Sequence, residues 1–219
     1  MKTLRILVAD DHEIVRHGVR AMLEAHADFE VCGESSNGRD AVADAARLKP
    51  HLVVMDITMP EMNGLEATRQ ILKENPTTEV LILTMHESEE LVRNVLAAGA
   101  RGYVLKSDVT ENLLSAVRAL ARHQVCISSK VTEVVLQGYL HGCAAPGGQA
   151  AGVPSEISPR EREIVQLVAE GKSNKDVAEV LHISVKTVET HRAHIMSKLD
   201  LHSVSDLVRY AIRNHIIET

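Results

Sequence analysis

The chain has 219 residues, 45% of them hydrophobic, and carries a formal net charge of −6. That length suits two compact domains, each able to bury a core, and the composition is that of an ordinary globular protein rather than a disordered or membrane-embedded one. No apolar stretch is long enough to span a bilayer, and the opening MKTLRILVADD lacks the apolar run and cleavage site of a secretory signal, so a cytoplasmic protein with no membrane partner is expected.

Cys32, Cys126 and Cys143 are odd in number and widely separated, which fits reduced thiols better than a disulfide or zinc framework. One Phe, three Tyr and no Trp make stacking of nucleic-acid bases on aromatic platforms an improbable device.

From Leu4 to about His123, short apolar runs alternate with helical patterns, the mark of a βαβ architecture with helices on both sheet faces. Strands are expected near Arg5–Ala9, Phe29–Ser35, Leu52–Met55, Val80–Leu83 and Gly102–Leu105. Between and after them, Glu13–Ala25, Gly38–Lys49, Gly64–Asn75, Glu87–Ala98 and Thr110–His123 carry apolar residues at helical spacing, with Pro50 and Pro76 just past two of the ends. Val131–Leu140 reads as a further short helix, and GCAAPGGQAAGVP as a flexible linker. Beyond it, Ser158 is placed to cap a helix with Pro159 at its first position and Gly171 as its stop. Three more helical patterns follow, at about Asn174–Leu181, Val185–Leu199 and Ser203–Asn214, with no strand between them. The expected division is residues 1–123, a linker with a short helix at 124–154, and a small all-helical domain at 155–219.

Polar residues stand at the ends of four of the apolar runs: Asp10 and Asp11 after ILVA, Asp56 after LVVM, Thr84 after VLIL and Lys106 after YVL. Open parallel sheets bind ligands just beyond the carboxyl ends of their strands, so these five residues should meet in one pocket. Three crowded carboxylates need a neutralising cation, and Mg²⁺, which takes oxygen ligands and joins carboxylates to phosphoryl oxygens, is the natural one. Lys106 would hold a phosphoryl oxygen as a point charge while the Thr84 hydroxyl donates to another. A metal, a nucleophilic carboxylate and phosphate donors together describe phosphoryl transfer to an aspartate.

Leu4–His123 closely resembles the receiver domain of two-component response regulators, through VADDHE, VVMDITMPEMNG, LTMHES and GYVLKS. The resemblance implies a flavodoxin-like, doubly wound, five-stranded parallel sheet of order 2-1-3-4-5, followed here by a small all-α helix-turn-helix domain. It implies Asp56 as the phosphoacceptor, Asp10, Asp11 and Asp56 with the Thr58 backbone carbonyl as the Mg²⁺ ligands, Thr84 and Tyr103 as the switch pair, and Lys106 as the phosphoryl partner. Pro60 and Gly64 fit the family's tight turn after the phosphoacceptor strand. Met85 departs from the very small residue many receivers carry after the switch threonine, and Thr58 and His86 occupy variable positions beside the site.

SNKDVAEVLHISVKTVETHRAHIMSKL has two amphipathic segments joined by a short turn around His182–Ser184, which is helix-turn-helix spacing. Ser184 would cap the second helix, whose start would enter the major groove of double-stranded DNA. Its amide groups, together with Lys172, Asn174, Arg192 and Lys198, would meet phosphates. Against this, the segment from Ser155 onward has nine Lys and Arg and ten Asp and Glu, not the basic excess typical of a DNA binder.

ISPREREIVQLVAEGKSNKDVAEVLHISVKTVETHRAHIMSKL resembles the LuxR-type DNA-binding domain, and its pairing with a receiver resembles the NarL/FixJ family. The family's base-facing positions fall on Glu189, Thr190 and Ala193, with Lys186, Thr187, His191 and Arg192 at backbone or edge contacts. His191 and His194 read as helix-surface histidines rather than metal ligands. The stripe Val204, Leu207, Val208 and Ala211 suggests core packing together with a two-fold contact, giving a homodimer on DNA. The resemblance further implies a sensor histidine kinase as phosphodonor, and a receiver that blocks the recognition helix until it is phosphorylated. An aspartyl-phosphate phosphatase would share the pocket, but its general acid would stand two residues after the nucleophile, where this chain has Thr58. A flavin module on the same topology lacks the aromatics to sandwich the ring.

Overall fold

The structure, a computed structural model, describes residues 3–85, 88–127 and 157–217. The receiver half runs β1 (Leu4–Ala9), α1 (Glu13–Glu24), β2 (Phe29–Ser35), α2 (Gly38–Leu48), β3 (Leu52–Asp56), α3 (Gly64–Glu74), β4 (Glu79–Thr84), α4 (Glu89–Ala97), β5 (Gly102–Leu105), a 3₁₀ turn at Lys106–Asp108, α5 (Val109–Leu120) and β6 (Cys126–Ile127). All pairings are parallel, in the order β2-β1-β3-β4-β5-β6. Every residue of β3 and β4 is buried, because helices cover both faces and leave no solvent side to demand alternation.

Two cores result. Leu7, Val53, Met55 and Ile82 pack on one face under α2, α3 and α4, while Ile6, Val8, Val54, Leu81 and Leu83 pack on the other with α1 and α5. The chain steps outward from β1 to β2 and then crosses back to β3, so the order reverses between β1 and β3. Asp10 and Asp56 stand at the carboxyl ends of those two strands, at the crevice such a reversal opens.

The five expected strands are present with ends within one residue. The sixth strand was not expected: Cys126 N–H donates to the Arg101 carbonyl at 2.9 Å, and Cys126–Ile127 adds an edge beside β5. The sheet therefore takes in residues that the sequence places in the linker. Helix α5 ends at Leu120 rather than His123, where the backbone turns left-handed (φ 58°). The expected helix at Val131–Leu140 and the linker that follows lie outside the described residues.

The second domain contains α6 (Pro159–Ala169), α7 (Asn174–Val180), α8 (Val185–Lys198) and α9 (Val204–Arg213). Ser158 caps α6 in a reciprocal capping box with Glu161, Pro159 opens the helix, and Gly171 stops it at φ 87°. Ile164, Leu167, Val177, Val188, Ile195, Leu207 and Ala211 form its core.

The domains touch through α6. Glu163 accepts from Arg39 of α2 at 2.7 Å and from Gln70 of α3 at 3.1 Å, and Gln166 bonds the loop between β3 and α3.

Candidate functional site

The fold gathers the strand-end residues as expected. Asp10 and Asp56 are 1% and 3% exposed, Thr84 is buried at the end of β4, and Lys106 opens the 3₁₀ turn after β5. The Lys106 ammonium donates to Asp56 Oδ2 at 2.7 Å and lies 2.8 Å from Asp10 Oδ2. One ammonium is thus shared between two buried carboxylates, and it is the charged partner of Asp10 Oδ2. Asp10 Oδ1 accepts from His12 N–H at 2.9 Å, and the Arg16 guanidinium holds the Asp10 main-chain carbonyl at 2.8 Å.

Burial is the largest influence on Asp56 and pushes its carboxyl up. Lys106 opposes this, Asp10 and Asp11 add to it, and the result is about 6. Lys106 is pulled down by burial but up more strongly by Asp56 and Asp10, so it stays above its ordinary value.

One ligand atom each from Asp10, Asp11, His12 and Asp56 lies within 4.8 Å of the others. Three carboxylates served by one ammonium suit a hard divalent cation, so the residues fit Mg²⁺. His12, 2.7 Å from Asp11 Oδ1, is a neighbour that strand-end logic misses because it lies past the strand.

Tyr103 is 2% exposed within the core under α4, not the half-buried edge residue its strand position alone would suggest, since β6 covers that edge. Met85 next to Thr84 is largely exposed. His86 lies outside the described residues. Gly64 permits the close start of α3: a Cβ there would lie 1.8 Å from the Asp56 carbonyl oxygen.

Comparison with known proteins agrees with this geometry. The response regulator receiver domain matches residues 6–118, and the luxR family of bacterial regulatory proteins matches residues 155–211. Transcriptional regulatory protein LiaR of Bacillus subtilis (strain 168) is 40% identical over 214 residues, spanning 98% of this chain and 99% of that protein. The chain belongs to the luxR-family two-component response regulators. A crystal structure of a LuxR-family two-component response regulator from Aurantimonas sp. SI85-9A1 is 32% identical with a TM-score of 0.60, covering 64% of this chain and 99% of that one. RcsB from Salmonella enterica serovar Typhimurium, solved bound to promoter rprA with the phosphomimetic BeF3-, is 25% identical with a TM-score of 0.58, covering 95% and 98%. Members of this family are DNA-binding transcription regulators, not enzymes, which disposes of the phosphatase alternative.

In this response regulator the second helix of the helix-turn-helix pair, the one expected to read DNA, is α8. Ser184 caps it, accepting from Thr187 N–H at 3.0 Å. Lys186, Thr187, Glu189, Thr190 and Ala193 are exposed, and His191 is half-buried. Among the described residues the receiver docks on α6, and these positions of α8 stay open rather than covered by it. Three expected phosphate contacts are already engaged: Arg192 bonds Asn174, and Lys198 bonds Glu161 at 3.1 Å. Lys172 is half-buried, and Lys186 pairs loosely with Glu189 at 3.8 Å.

The expected dimer stripe needs correction. Leu207 and Ala211 are 1% and 0% exposed inside the domain core and cannot form an intermolecular face, whereas Val204 is 49% exposed and Val208 half-buried. Gln166, Glu163 and Glu170 were not expected. A polar residue within an amphipathic helix carries no sequence signal that another domain will cover it.

Proposed function

We propose that Asp56 accepts a phosphoryl group from the phosphohistidine of a sensor kinase, with Asp10, Asp11, Asp56 and the Thr58 carbonyl holding Mg²⁺. The observation that carries this is the Lys106 ammonium shared between buried Asp56 and Asp10 at 2.7 and 2.8 Å, with Asp11 beside them. Bound Mg²⁺ would offset the crowded negative charge and orient phosphoryl oxygens.

The chain's own groups do the rest. An Asp56 carboxylate oxygen attacks phosphorus, the donor's P–N bond breaks, and the histidine nitrogen keeps the electron pair. Lys106 follows the new charge onto a phosphoryl oxygen, and the Thr84 hydroxyl donates to another. Movement of Thr84 changes what Tyr103 packs against beneath α4, converting a local charge change into a surface change.

The output is binding of double-stranded DNA in the cytoplasm by α8, with Glu189, Thr190 and Ala193 facing base edges and Lys172, Lys186, Thr187 and the Ser184-capped helix start near the backbone. Arg192 and Asn174 hold each other and would contact phosphate as a pair. The exposed reading surface favours activation by pairing two output domains over simple unmasking, with Val204 and Val208 at the two-fold contact.

Incubation with acetyl phosphate and Mg²⁺ tests the reading. The intact mass should rise by one phosphoryl group in wild type and not in Asp56→Asn, and operator binding by selected oligonucleotides should strengthen only in the former. Equal strengthening in both would refute it.

A further inference from the structure

At the end of the sheet opposite Asp56 the receiver has a second opening, a cavity of about 240 Å³. Leu4, Leu52 and Glu79 are the first residues of β1, β3 and β4, and Leu120 is the last of α5, so the cavity lies where the strands begin. Phosphoryl chemistry belongs beyond the carboxyl ends of these strands and makes no use of this place. The floor is apolar, with Leu52 and Leu120 both 0% exposed.

One charged group interrupts that floor. Glu79 is 7% exposed and opens a strand whose other residues are all buried. A carboxylate is almost never buried without partners, and Glu79 has two: the Arg101 guanidinium at 3.1 Å and His123 Nδ1 at 2.7 Å. Both contacts fall on Oε1. Arg101 is held there, because its guanidinium also donates to the His123 carbonyl. Oε2 takes no hydrogen bond among the described residues, yet it is not sealed from solvent, so it opens on the cavity that Glu79 lines.

A carboxylate oxygen can only accept, so a ligand that satisfies Oε2 must bring a donor, and a charged donor makes a bond roughly twice as strong as a neutral one. The rest of the ligand must be apolar to cover the leucines. At about 30 Å³ per water the space holds roughly eight waters, and it falls short of the ~300 Å³ at which sites for drug-sized molecules begin. A single ring or a short chain fits. On the rim, His51 Nδ1 accepts from Arg5 N–H at 3.0 Å, which leaves its Nε2–H as one neutral donor. That donor does not turn the site toward anions, which would meet the open Glu79 oxygen. Among the described residues Glu79 joins no cluster of metal-ligating side chains, so a bare metal ion does not suit it either.

We propose that this cavity binds a small organic cation, an amine or amidine on an apolar body, with Glu79 Oε2 as its anchor. The site shares no residue with the acidic pocket and stands whether or not Asp56 accepts a phosphoryl group.

The test uses the full-length protein with Mg²⁺ in excess, which competes for the acidic pocket, and follows leucine methyl resonances as benzamidine is added. Benzamidine should bind saturably with a Kd of about 1 mM, ordinary for a ligand of its size, and should move the Leu52 and Leu120 signals. Benzamide has the same shape without the charge, and benzoate has the opposite charge; both should bind about tenfold more weakly or worse. Glu79→Gln, which keeps an acceptor for Arg101, should weaken benzamidine by about the same factor. Ala121→Leu keeps the carboxylate but fills the space from an exposed position on the cavity wall, and should weaken it as much. This second variant decides the matter if Glu79→Gln fails to fold. Equal binding of the three probes, shifts that gather around Asp56, shifts that do not saturate, or benzamidine bound by Ala121→Leu as by wild type would each overturn the proposal.

Discussion

Lys106 holds Asp56 at 2.7 Å, yet the Asp56 carboxyl still titrates near 6, because burial and the neighbouring carboxylates outweigh one shared ammonium. The pocket is unstable in the direction its chemistry needs. It contains more negative charge than its own lysine can neutralise, and so favours a cation.

That imbalance predicts an unusual pH dependence. A carboxyl raised from 3.8 to about 6 binds its proton more tightly in the folded state than in the unfolded one. Its contribution is fully present below 3.8 and is lost as pH rises through about 6. About two units at about 1.4 kcal/mol each give a ceiling of roughly 3 kcal/mol. With metal chelated, the urea midpoint of wild type relative to Asp56→Asn should fall between pH 5 and pH 8, and Mg²⁺ should reverse the fall. A difference between the two proteins that is flat with pH would contradict the proposed charge crowding.

Lys106→Ala should expose the same crowding more severely. Removing one partner from a buried ion pair costs on the order of 3–5 kcal/mol, reduced here because Asp56 would take up a proton. Without metal, the variant should melt well below wild type near pH 7. Mg²⁺ should raise its melting temperature more than that of wild type, since the cation then replaces the missing ammonium. Equal Mg²⁺ shifts in the two proteins would place the metal elsewhere.

The parts of this design that were legible in the sequence are local or periodic. Strand ends carrying Asp10, Asp56, Thr84 and Lys106 were visible because continuous apolar runs in a βαβ pattern fix which side of the sheet they reach. Ser158 and Ser184 announced their helices through side-chain capping, which spans only three residues. Cys126–Ile127 was illegible because two residues are too few to show a period. Leu207 and Val208 are adjacent, so a stripe containing both could not reveal that one faces the core and the other its margin. The seat of Gln166 on Met59 and Asn63 joins residues more than a hundred apart, and nothing local records it.

Two glycines should respond to alanine with opposite signs. A Cβ at Gly64 would meet the Asp56 carbonyl oxygen at 1.8 Å, a backbone atom that cannot yield without moving the phosphoacceptor strand. Gly64→Ala should therefore cost roughly 3 kcal/mol, the upper end for overpacking, and slow phosphorylation as well. Gly18 lies within α1 with nothing within 4 Å of an added Cβ. Gly18→Ala should stabilise by about 0.5–1 kcal/mol through helix propensity and a less flexible unfolded chain. Denaturant midpoints decide both, and a neutral Gly64→Ala would mean that α3 has room to retreat.

In the output domain, Glu161 is the opposite of Asp56. It is 5% exposed, and burial alone would raise its carboxyl. The Ser158 N–H at 2.7 Å and Lys198 at 3.1 Å together outweigh that and hold it at about 2. His194 adds a contact at 3.1 Å, so one carboxylate ties two residues of α8 to the start of α6. The folded value lies below the ordinary 4.5, so this stability is present above 4.5 and is lost as pH falls toward 2. Glu161→Gln should destabilise the output domain by about 2 kcal/mol at neutral pH and flatten its acid transition, since the amide has no proton to gain. The same change frees the Lys198 ammonium beside the recognition helix. If Lys198 then reaches a phosphate, the salt dependence of DNA binding should steepen by about one counterion. An unchanged slope with reduced stability would show that Lys198 serves the fold and faces away from the duplex.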